Sequence, residues 1–112
     1  MTNTDHEDKI VRQVITDLLA AGYELNLENG GEGRELPEFT TDFDTIYREM
    51  KATDEDYLLA RIPKSPKVAF VRFVYGNDGH DVINDYNVSL ADALKPSLYL
   101  SDRLMGEYLK EA

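Results

Sequence analysis

Asn77, Asp78, His80, Asp81 and Asp85 crowd into one short stretch, and no other part of the chain gathers so many side chains able to do chemistry. Hard cations take several oxygen ligands at roughly 2.0–2.6 Å, so a tight loop bearing carboxylates and an amide could furnish part of a coordination shell. The spacing is not that of a calcium loop, however: there is no D-x-D-x-D-G run and no glutamate at the twelfth position. Asn, Asp and Gly are also the residues that a hairpin turn needs for positive φ. Turn formation accounts for the cluster, and a metal or acid-base site built from Asp78, His80, Asp81 and Asp85 is the alternative reading.

The histidines do not strengthen that alternative. His80 sits in a loop and His6 in a terminus expected to fray, so no imidazole pair has helical spacing, and the chain contains no cysteine to complete a zinc site. Nor does any local Ser-His-Asp arrangement announce a nucleophile and its base. The sequence therefore points to a protein that is not an enzyme and carries no cofactor.

Charge is the second feature with functional reach. The chain has 22 acidic against 12 basic residues, a net charge of −10. That balance disfavours direct nucleic-acid binding, whose affinity comes from Lys and Arg displacing counterions from phosphates. The acids concentrate in residues 24–56, where Glu24, Glu28, Glu32, Glu35, Glu38, Asp42, Asp44, Asp54, Glu55 and Asp56 are the candidate partner-binding residues, with Glu49 as a further acid. Only Arg34, Arg48 and Lys51 oppose them there, whereas Arg61, Lys64, Lys67 and Arg72 form a stretch without acids. A bipolar domain is expected. A row of carboxylates can imitate a row of phosphates and occupy the basic groove of a nucleic-acid-binding protein; the plainer account of the same residues is a solvated face.

These residues need a scaffold. A chain of 112 residues implies a single domain spanning 1–112, and 42% apolar residues suffice for a core. The N-terminus has acids where a secretory leader needs basic residues, and no apolar run reaches membrane-spanning length, so a cytoplasmic location is expected. Ile10, Val11, Val14, Ile15, Leu18 and Leu19 repeat at helical spacing, with Gly22 placed as a C-cap. Residues 23–28 alternate as a strand, residues 29–33 form a glycine-rich turn, and residues 34–39 form an edge strand or extended segment, because Pro37 lacks a donor. Thr41 opens a capping-box-like T-x-x-D before a short helix over 42–51, and residues 53–56 make a turn. Three further strands follow, over residues 57–62, from Val68, and up to Val88; Ser89 then opens a C-terminal helix that Pro96 should kink or break near Lys95. The predicted order is α-β-β-α-β-β-β-α: an α+β fold with an antiparallel sheet of four or five strands and helices on one side.

The string Tyr75-Gly76-Asn77-Asp78-Gly79-His80-Asp81-Val82-Ile83-Asn84-Asp85-Tyr86, with the acidic turn at 53–56, resembles a group of small acidic proteins encoded by phages and mobile elements of proteobacteria. The resemblance covers roughly residues 53–104 and implies a setting, in which small acidic proteins often inhibit host-defence nucleases, some of them as DNA mimics. The expected function is an interaction protein that inhibits or modulates a basic, nucleic-acid-binding protein through the carboxylates of residues 24–56. A metal-dependent or acid-base enzyme using the hairpin, and a homo-oligomeric structural component with Tyr99 or Tyr108 at its contact, are the alternatives.

Overall fold

A computed structural model of the chain describes residues 3–28, 34–50, 55–75 and 82–111, with the side chains of 3–5 and 105–111 left aside. Helix α1 (Asn3–Ala20) places Ile10, Val11, Val14, Ile15 and Leu18 entirely out of solvent. Its end is a Schellman motif: Gly22 adopts φ +93°, its N–H donates to the Leu19 carbonyl, and the Tyr23 N–H donates to Leu18. His6 is not frayed but lies within α1 at 2% exposure, in phase with the apolar stripe through Ile10.

The sheet is antiparallel with strand order β1-β2-β3-β4, formed by β1 (Glu24–Glu28), β2 (Glu55–Arg61), β3 (Ala69–Val74) and β4 (Ile83–Tyr86). Register puts Leu25 opposite Ala60, Leu27 opposite Leu58, and Leu58 opposite Val71, so these side chains share one face. That face meets α1, Ile46 of α2 (Phe43–Glu49) and Leu104 of α3 (Lys95–Glu111) in one core, with Leu90 and Leu94 between β4 and α3. The α+β class and the helices-on-one-side arrangement follow from this two-layer burial.

Residues 34–40 run antiparallel along β1 as a broken edge, touching it through single bridges at Glu28–Arg34 and Leu25–Thr40. Pro37 falls in the gap between the bridges, where no ladder donor is required. Covering β1 in this way protects an edge that would otherwise offer unpaired backbone groups to other chains.

Three boundaries differ from the sequence reading. Asp42, not Thr41, caps α2: its Oδ2 accepts from the Thr45 N–H at 3.2 Å and from the Thr45 hydroxyl at 2.5 Å. Residues 88–90 form a 3₁₀ turn instead of the start of a longer helix, and α3 begins at Lys95, where the break was expected, so Pro96 lies in the first helical turn, where its missing N–H leaves no gap in the helix. Finally, β2 starts at Glu55, bringing two residues of the expected turn into the sheet.

Helices α1 and α2 are joined by a polar contact. The Tyr47 hydroxyl donates to Asp8, Arg12 Nε donates to Asp8 at 3.0 Å, and the Arg12 guanidinium lies 4.5 Å above the Tyr47 ring. The hydrogen bond to Tyr47, with the Asp8 charge behind it, holds the Arg12 pKa above its usual value.

The β2–β3 connection is a tight turn in which the Ser65 N–H donates to the Ile62 carbonyl at 2.9 Å, with Pro63 second and Lys64 third at φ +71°. Pro followed by a positive-φ residue is the signature of a type II turn, whose third position ordinarily holds Gly or Asn. Lys64→Gly is therefore expected to raise stability by about 0.5–1 kcal/mol in urea unfolding, the reverse of a usual Lys-to-Gly change. A loss of stability would contradict the turn assignment.

Candidate interaction surface

The carboxylates of residues 24–56 separate into three groups. Glu24 faces Arg61 across the β1–β2 register, and Arg61 Nε donates to it at 2.6 Å. Glu55 accepts from Arg72 Nη2 at 2.7 Å, a hydrogen bond that raises the guanidinium pKa. Both pairs lie on the face of the sheet turned away from the helices, so these two acids are locally neutralised.

Asp56 is not a surface residue. It is fully buried, in phase with Leu58 and Ala60 on the core face, and accepts a 2.7 Å hydrogen bond from the Tyr75 hydroxyl. Its place among the partner-binding residues is thereby corrected: extending the β2 alternation backwards from Leu58 puts this carboxylate inside. Burial raises the Tyr75 pKa first, and the Asp56 hydrogen bond and charge add to it, with Glu7 contributing further.

A phenol whose pKa is raised on folding keeps its proton when the unfolded chain has lost it, so its contribution is complete below the unfolded value near pH 10 and declines above it. The stability advantage of the native protein over Tyr75→Phe should accordingly shrink at up to about 1.4 kcal/mol per pH unit above pH ~10. Parallel stability curves for the two proteins through that range would contradict the assignment.

The remaining group lies in residues 35–44. Glu35, Glu38, Asp42 and Asp44 are all exposed, with Glu28 half-buried at the end of β1 beside them. Their backbone is held firmly. Leu25 and Thr40 exchange two 2.8 Å hydrogen bonds, and the Glu35 N–H donates to the Leu27 carbonyl at 2.8 Å.

Between those anchors the wholly buried Asn26 side chain substitutes for a missing backbone partner. Its Oδ1 accepts from the Leu36 N–H at 3.1 Å, and its Nδ2 donates to the Leu36 carbonyl at 3.0 Å. Phe39 completes the attachment, with the Arg61 and Arg34 guanidinium groups 4.0 and 4.9 Å from its ring centre. Leu59, also buried, and the Tyr57–Phe70 ring pair at 5.9 Å extend this apolar layer on the outer face. The sequence reading missed this second layer, although Leu59 and Phe70 share its alternation phase.

The expected bipolar charge is also revised. Two of the four cations in the acid-free stretch, Arg61 and Arg72, are paired with Glu24 and Glu55 by the antiparallel register, which leaves Lys64 and Lys67 at the turn. Glu32, Asp54, Asp78, His80 and Asp81 lie outside the described residues. Asp85 is exposed on β4, opposite Arg72 at a register shift, and its Oδ1 accepts from the Tyr86 N–H. Among the described residues no group of three or more His, Cys, Asp or Glu side chains is placed to hold a metal, and no helix is long and apolar enough to cross a membrane. In comparisons with known proteins, no family model, curated sequence or solved structure matches the chain.

Proposed function

We propose that the protein is an interaction module that modulates a basic, nucleic-acid-binding protein, engaging it through the exposed carboxylates Glu35, Glu38, Asp42 and Asp44. The observation that carries this reading is the clamped backbone beneath them: Asn26, Leu25 and Leu27 fix residues 35–40 along β1, and Asp42 is fixed as a helix cap. Acids on a fixed frame repel one another without being free to spread, so a cationic surface gains from meeting them at little cost in ordering. The resemblance to small acidic proteins of phages and mobile elements belongs to the same reading, and so does a role as a host-defence inhibitor or DNA mimic in the cytoplasm.

The test is a variant with Glu35→Gln, Glu38→Gln, Asp42→Asn and Asp44→Asn, chosen because Asn keeps the cap at position 42. Captured partners from a bacterial lysate should bind the native protein at low salt at least about tenfold more tightly than the variant, and the difference should narrow as salt screens the charges. Equal, salt-independent capture by both proteins would contradict the proposal.

A further inference from the structure

A groove of about 480 Å³ opens on the core side of the sheet beside the β2–β3 turn, within the size range of small-molecule sites. Tyr23, Ala60, Ile62, Val68 and Ala69 give it apolar walls. Lys67 is the charged side chain it presents: Arg61 borders the groove, but its guanidinium is turned to the opposite face of the sheet, and no acid lines the groove among the described residues. On a chain of net charge −10 that is the exceptional local balance.

The two cations differ in availability. Arg61 is engaged by Glu24 and by the Phe39 ring, whereas Lys67 is exposed and has no ion pair among the described residues. Asn87 adds a neutral donor: its Oδ1 is taken by the Phe70 N–H at 2.7 Å, and its Nδ2 has no partner among the described residues. Ser89 lines the groove next to it.

The site is also built in advance. Pro63 lies within the turn and Pro66 follows it, the Ser65 N–H is bound to Ile62, and the Lys67 N–H donates to Ser65 Oγ at 3.2 Å. Lys64 is kept there at φ +71°, a conformation that a side-chain-bearing residue adopts at a cost. Ile62 and Val68 remain 47% and 40% exposed, which leaves apolar surface for a ligand to cover.

We propose that this groove binds a small organic anion, an aliphatic carboxylate whose apolar body rests on Ile62 and Val68 and whose charge pairs with Lys67. The site is separate from the acidic segment and does not depend on the function proposed for it.

The experiment is an ¹⁵N-¹H NMR titration of the full chain with sodium octanoate, octylammonium chloride and sodium acetate, repeated on Lys67→Glu. Octanoate should give saturable shifts confined to Ile62, Lys67, Val68, Asn87 and Ser89, with binding about tenfold weaker in Lys67→Glu. Acetate, lacking the apolar body, and octylammonium, with the opposite charge, should give none. Because Lys67 is exposed, the variant should keep its spectrum elsewhere, which separates lost binding from lost folding. Absence of saturable shifts up to about 10 mM octanoate, or equal binding of octylammonium, would overturn the proposal.

Discussion

Asp17→Ala should cost the fold about 2–4 kcal/mol, measured as the loss of unfolding free energy in urea. Asp17 sits in the last turn of α1, where its charge opposes the dipole of its own helix. Its stabilising partner is another helix. Oδ2 accepts from the Ser97 N–H at 2.9 Å and from the Ser97 hydroxyl at 2.5 Å, while Oδ1 accepts from Gln13 at 2.8 Å.

Ser97 lies in the first turn of α3 and is fully buried, so removing the carboxylate strands a backbone donor and a hydroxyl away from water. The same change removes an anion from the positive end of α3. Asp17→Asn retains an acceptor oxygen without the charge and should cost about 1–2 kcal/mol. An Asp17→Ala loss below about 1 kcal/mol would show that the buried carboxylate is not what joins the two helices.

Asn26→Leu should have a comparable effect on stability, about 2–4 kcal/mol, because it leaves both the N–H and the carbonyl of Leu36 without the side chain that now satisfies them. The loss should be local in its dynamics. Amide exchange at Leu36 should accelerate strongly, while Leu25 and Thr40, which bond to each other directly, should be affected less. If Leu36 exchange did not change, the segment would be held by Phe39 and the bridges alone. The substitution also reaches the proposed function, since loosening residues 35–40 removes the fixed spacing of Glu35 and Glu38 without changing their charge.

Much of the scaffold was legible because it rests on periodicity. The α1 stripe, the Gly22 cap and the alternation of β2 and β3 are local signals, and each element formed close to where its pattern placed it. Less legible were the features that depend on a distant partner. Asp17 carries no local mark of a helix cap, because the N-terminus it caps belongs to a helix that begins at Lys95. Asn26 reads as the polar position of an alternating strand until residues 34–40 are seen to fold back over it.

Charge was the least legible of all. A tally along the chain groups Glu24, Glu55 and Asp56 with Glu35, Glu38, Asp42 and Asp44, and only the register separates paired or buried carboxylates from exposed ones. Among the described residues, the proposed surface narrows from residues 24–56 to residues 35–44. The register also leaves Lys64 and Lys67, which have no ion pair among the described residues, at one turn, where Lys67 lines the apolar groove.

The central claim is that Glu35, Glu38, Asp42 and Asp44 occupy the nucleic-acid-binding surface of a basic protein. Its most direct measurement is competition: duplex DNA is titrated into the complex of this protein with its captured partner, and the released protein is followed by fluorescence anisotropy. Mutually exclusive binding is expected, with DNA displacing the native protein completely and the four-carboxylate variant at lower DNA concentration. A ternary complex, in which the partner holds DNA and this protein together at unchanged affinity, would contradict it.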